Sequence, residues 1–185
     1  MKAFISFLER IANDKSLAVL TVIFLSFPAY FFKNVEVRLN ELSGKPVSII
    51  DMTMGYNPVR TISLLHEYSP EARQYYIFVE SVIDIAFPIV YSFFLAIVLV
   101  LLYRKSRYGV STWVAVLPFG MLLFDFTENY FIIKLLTQFP MISDLNIQLC
   151  EIAKLMKWSI LFIIVLLIIN GLLRNTLTWL SHSKD

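Results

Sequence analysis

The sequence predicts an all-α polytopic membrane protein, a four-helix bundle with a small extracytoplasmic cap built from its first loop. Three observations lead there. The 185 residues are 58% hydrophobic and 16% charged, with a mean hydropathy of +0.70, whereas soluble domains carry about 25% charged residues. The apolar residues are gathered into four blocks, three of them as long as the roughly 20 residues that a bilayer-crossing helix needs. Lys and Arg alternate between the segments that join those blocks, the pattern that orients membrane helices.

The whole chain, 1–185, is read as a single transmembrane domain. Its first span is predicted at 17–32, with Asp14 or Ser16 as the N-cap. Sixteen residues precede it and "FPAYFFKN" is a poor cleavage site, so the expectation is an uncleaved helix rather than a signal peptide. An extracytoplasmic loop follows at 33–74, then spans two, three and four at 75–103, 110–136 and 145–173. Pro140 ends span three, and Ser143 with Asp144 offers a cap for span four. The N-terminal "MKAFISFLERIA" sets Phe4, Phe7, Leu8 and Ile11 on one face, which suits either a helix lying on the inner membrane surface or a frayed start to span one.

Orientation follows from the basic flanks. Lys2, Arg10 and Lys15 precede span one, Arg104, Lys105 and Arg107 fill the second loop, and Arg174 and Lys184 follow span four. The third loop, "TQFPMISDLNIQ", has no Lys or Arg. Both termini and loop two are therefore expected in the cytoplasm, with Trp113 and Trp179 at that interface. Loop one carries "NPVRTISLLHEY", where Asn57 caps and Pro58 opens an amphipathic helix, and "SPEAR", where Ser69 and Pro70 repeat the signal and run into span two. The preceding "KPVSIIDMTMGY" is β-branched and is expected to be extended.

Net charge of +2 without a basic, aromatic-interleaved stripe excludes nucleic acid as a partner. A single cysteine, Cys150, excludes an internal disulfide and a paired-thiol relay. Two histidines, His66 and His182, are too few for a histidine-built metal centre, and neither metal nor cofactor is expected.

The chemistry is concentrated in the spans. Span two places Glu80, Asp84, Pro88 and Tyr91 on one stripe; span three places Pro118, Met121, Asp125, Glu128 and Asn129 on another; span four brings Glu151, Lys154 and Lys157. At 1.5 Å per residue, Asp84, Glu128 and Lys154 lie roughly 13 Å from the outer helix ends. Asp125 and Lys157 lie about 18 Å down, near the midplane of a ~30 Å hydrocarbon core. Each ionised group at that depth costs about 2.5–3.5 kcal/mol, so these residues must face one another or a hydrated cavity. As helix glue, Asp84 would pair with Lys154 and Asp125 with Lys157, but interhelical polar contacts average only about 0.6 kcal/mol. Alternatively, Glu80, Glu128 and Glu151 sit nearer the interface and snorkel. The five acids exceed the two lysines by three, and clustered carboxylates cannot all ionise in a low dielectric.

The segment "IDMTMGY…SPEARQYYIFVESVIDIAFPIVY", Ile50 to Tyr91, together with "LPFGMLLFDFTENYF", resembles a group of uncharacterised small bacterial four-pass membrane proteins. That resemblance implies a bacterial plasma (inner) membrane and no particular activity. A looser likeness, in architecture alone, is to the sterol-isomerase and sigma-2-receptor group, small bundles whose buried acids accept amphipathic amines or sterols.

The expected function is a membrane-embedded binding or transport module. An acidic pocket of Glu80, Asp84, Asp125, Glu128, Asn129, Lys154 and Lys157 would take an amphipathic or cationic ligand, a lipid or protons. The alternatives are a lipid-modifying enzyme using a carboxylate pair such as Asp84 and Asp125, or an accessory subunit of a larger complex. Four spans are few for a monomeric transporter, so a homodimer or a partner membrane protein is expected alongside the lipid bilayer. The pocket is expected to open toward loop one or the outer leaflet. Leu95, Val98, Leu166 and Ile169 would close it below, with the helix at Pro58 to Tyr68 as its lid.

Overall fold

A computed structural model describes residues 1–53, 55, 57–104 and 112–182, with side chains described as far as 177. Lys105, Arg107 and Lys184, and the Trp179 side chain, on which the orientation argument partly rests, lie outside that description. The described chain is all-helical, with no strand among the described residues. Six helices are named here: α1 (Lys2–Ile11), α2 (Asp14–Ser43), α3 (Pro58–His66), α4 (Pro70–Tyr103), α5 (Thr112–Gln138) and α6 (Asp144–His182). Four of them, α2, α4, α5 and α6, are long and apolar enough to cross a membrane. Their outward faces carry side chains such as Val22, Leu123 and Phe162, each more than 60% exposed, the surface of an integral membrane protein.

Local chemistry sets the helix bounds. α2 is capped by Asn13, whose side chain accepts the Ser16 amide, rather than by Asp14 or Ser16. It also continues to Ser43, beyond the predicted end at residue 32, and stops at Gly44 in the left-handed conformation (φ 67°). What carries it past Pro28 is one π turn, Phe27–Phe31, in which the Phe32 amide reaches the Phe27 carbonyl. Loop one thus begins later than the hydropathy suggests. Asn57 and Ser69 cap α3 and α4 as the sequence predicts, each with a proline at the first helical position. A second π turn, Val79–Ile83, interrupts α4. α5 ends before the cis Phe139–Pro140 bond, and the Ser143 carbonyl takes the Asn146 and Ile147 amides at the start of α6.

α4, α5 and α6 pack on one another, and α2 lies along α4. Aromatic rings make the α2–α4 seam: Phe27 and Phe32 each sit 5.0 Å from Phe87, whose ring meets Tyr91 at 5.3 Å. Two apolar clusters fill the interior. The first joins the loop-one ends of the helices to Val47, Ile50, Leu64, Leu65 and Tyr68. The second joins the other ends, Leu99, Val100, Met121 and Ile164 among them, to Leu8 and Ala12.

α1 is a separate helix docked on the bundle rather than a frayed start to α2. Leu8 is fully buried, Phe4 meets Phe119 edge-on at 4.9 Å, Glu9 accepts from the Thr112 hydroxyl at 2.6 Å, and Arg104 donates to the Ala12 carbonyl at 3.1 Å. This short helix closes the end of the molecule opposite loop one.

Candidate functional site

Between the two apolar clusters lies a polar layer. Glu80 enters it from the π turn of α4, and Asp84 follows as the first residue after that turn. Asp125, Glu128 and Asn129 come from one face of α5, Lys154 and Lys157 from one face of α6. All seven are at most 7% exposed, so the stripes read from the sequence do converge inward.

The ion pairs cross between α5 and α6. Glu128 bridges both lysines, its Oε1 3.4 Å from Lys154 Nζ and its Oε2 2.6 Å from Lys157 Nζ. Lys157 also lies 3.7 Å from Asp125 Oδ1, the pair expected from the sequence. Asp125 Oδ2 accepts from the Tyr91 hydroxyl at 2.6 Å. The expected pairing of Asp84 with Lys154 is replaced: Lys154 meets Glu128, and no ion pair of Asp84 occurs among the described residues. Asp84 instead contributes its carbonyl, which takes the Asn129 side-chain amide at 3.0 Å across the α4–α5 seam. Glu151 lies at the rim, half-buried, where its Oε1 accepts the Gly55 amide at 3.0 Å. Gly55 adopts φ 77°, a conformation suited to glycine, as it presents that amide.

The largest departure from expectation is the roof. Residues 50–53 form a turn that drops onto the lysines instead of an extended segment. Lys154 Nζ donates to the carbonyls of Ile50 at 2.9 Å and Thr53 at 2.6 Å, and Lys157 Nζ pairs with Asp51 Oδ1 at 3.1 Å. Tyr68 secures the upstream part of the loop by donating to the Ser48 carbonyl. Burial, then the charges of Glu67 and Glu80, push the Tyr68 phenol up, so it keeps that proton. Burial opposes ionisation of Asp51, but the attraction of Lys157, a hydrogen bond with Glu128 and the attraction of Lys154 outweigh it and hold the carboxyl below its ordinary value.

Among the described residues the seven side chains are covered, and the 50–53 turn lies over the lysines where an outward-open mouth was expected. The floor also differs. Leu166 and Ile169 are about half exposed on the outer face of α6. Met121, Ala96, Ile97 and Ile164 do the closing.

Among the described residues, two acceptors in this layer have neither a hydrogen-bond donor nor an ion pair: Glu80 Oε2 and Asn129 Oδ1. An orphaned buried oxygen costs roughly 1–3 kcal/mol. Sequence reasoning missed Asp51 and its turn. The one signal was an aspartate between "VSII" and "MT", a charge among apolar neighbours outside any helical period. Among the described residues no group of three or more His, Cys, Asp or Glu is arranged to hold a metal ion. No protein-family model, curated protein or solved structure matches the chain.

Proposed function

We propose that this chain is a membrane-embedded binding or transport module whose occluded ligand is the proton. The observation that carries this reading is the acid excess around orphaned oxygens. Asp51, Glu80, Asp84, Asp125 and Glu128 gather around two lysines, and Glu80 Oε2 has no donor among the described residues. Four buried carboxylates, with Asp51 partly exposed above them, outnumber the two ammoniums and carry an uncompensated charge that burial penalises severely. Protons remove that charge without needing a coordination cage or a cavity. A proton on Glu80 also converts its orphaned acceptor into a donor. The π turn at Val79–Ile83 supports a functional reading, since such turns concentrate at functional sites.

Access in this reading runs from the loop-one side. The cluster beneath is mainly aliphatic, with Ala96, Leu99, Val100 and Ile164 fully buried, whereas the 50–53 turn is held by contacts to two lysines and can lift. With the N-terminus, C-terminus and loop two cytoplasmic in a bacterial plasma membrane, protons enter from outside. Infrared spectroscopy of the protein reconstituted in lipid tests the reading. The protein should show a protonated-carboxyl band at neutral pH, and Glu80→Gln should remove or shift it while leaving the fold intact. Absence of any such band in the parent protein would reduce the layer to an ion-pair network.

A further inference from the structure

A second site lies away from the polar layer, on the outer face of the α2–α4 seam. A groove of about 500 Å³ runs there between the two helices. Val19, Leu20, Ile89, Val90, Phe93 and Ile97 line it along its length. Ile11, Ser16 and Lys15 stand at the end nearer α1. From Ile89 to Ile97 the apolar wall extends roughly 12 Å along α4. Lys15 is exposed, and no ion pair engages it among the described residues. The first turn of α2 sits beside it and adds the positive end of a helix dipole. Lys2, Arg10 and Arg104 stand at the same end of the molecule and, with Lys15, outnumber its acids Glu9 and Asp14.

We infer that this groove binds one anionic phospholipid, an acyl chain lying along Val19, Val90 and Phe93 and the phosphate resting on Lys15. The occupant is fixed by complementarity at both ends. An apolar trough on a membrane helix faces acyl chains, which gain packing contacts there, so the headgroup supplies the selectivity. A lone cation at its mouth favours a net negative headgroup over a zwitterionic one. Ser16 adds a hydroxyl donor beside it.

Native mass spectrometry of the full chain, delipidated in mild detergent and titrated with phosphatidylglycerol or phosphatidylcholine, tests this. One phosphatidylglycerol should be retained in preference to phosphatidylcholine. Lys15→Gln should lower that retention about fivefold, the factor expected for one lysine near a lipid surface, and leave phosphatidylcholine unchanged. Val19→Trp, at an exposed position where the ring projects into the trough, should weaken both lipids by blocking the chain. Both variants are surface changes, and unaltered melting confirms their fold. Equal retention of the two lipids, indifference to Val19→Trp, or an equal loss from Lys2→Gln would overturn the inference, the last by showing diffuse charge attraction. Preferential retention of a free fatty acid over the phospholipid would overturn it too.

Discussion

The N-terminal end of the molecule and the polar layer beneath loop one solve the same packing problem with opposite materials. At the N-terminal end, Leu8, Leu99, Val100 and Ile164 are fully buried in an aliphatic cluster that α1 seals. Tyr103 ties α4 to the Leu167 carbonyl, and Gly171 lets α6 approach Leu102, where a Cβ would come within 3.1 Å. In the polar layer beneath the loop-one cluster, α5 and α6 are joined through charge, and the 50–53 turn of loop one, not a helix, meets the lysines. Apolar contacts in a membrane tolerate small shifts, because each atom contributes little. Charge contacts do not, because a lost partner leaves a buried ion. The first is therefore suited to holding helices together, and the second to responding when a contact breaks.

Removal of the lysine that holds the turn should have the largest effect. Lys154 is fully buried and reaches Glu128 and two loop carbonyls. Lys154→Met keeps the volume and deletes the charge, and breaking a buried pair in this way costs about 3–5 kcal/mol. Unfolding in mixed detergent micelles measures that loss. Hydrogen exchange at 50–53 should rise with it. An unchanged exchange rate would show that the turn is held by the apolar cap alone, and the contrast between the two regions would weaken.

Next comes the aliphatic end. Leu99→Ala should cost about 2 kcal/mol, the low end of core truncations, since lipid competes for the same apolar surface and only packing is lost. Its effect should be independent of pH. A pH-dependent loss at Leu99 would mean that the two regions are coupled, through the Tyr91–Asp125 hydrogen bond.

What the sequence disclosed divides along the same line. The stripes of Glu80, Asp84 and Tyr91 and of Asp125, Glu128 and Asn129 were legible because lipid forces charge inward, and spacing of three and four residues then fixes the face. The caps at Asn57 and Ser69 were legible because their signals are local. Asp51 was not. Its partner Lys157 is distant in sequence (a separation of 106), and Lys154 meets Ile50 across 104 residues. A loop without period gives no hint of which helix it will touch. Likewise, Pro28 announced a disturbance in α2, but nothing in "VESVI" marked the π turn that carries Glu80.

The smallest effect predicted tests whether that loop contact is electrostatic. Asp51 pairs with Lys157 at 3.1 Å, with its side chain about a quarter exposed. Asp51→Asn keeps the shape and removes the charge, leaving Lys157 still facing Glu128 and Asp125. A hydrogen bond to a charged group contributes about 1.5–3 kcal/mol, and partial exposure places this one near the lower value. Because folding holds the Asp51 carboxyl below its ordinary value of 3.8, its contribution is complete above that value. It fades as pH falls from there through the depressed folded value, where the parent carboxyl takes up its proton. The melting curves of parent and Asp51→Asn should therefore stand apart at neutral pH and merge in strong acid. A gap that persisted unchanged below pH 3.8 would show that Asp51 acts through shape rather than charge, and the turn over the polar layer would then be held as the N-terminal end is, by packing.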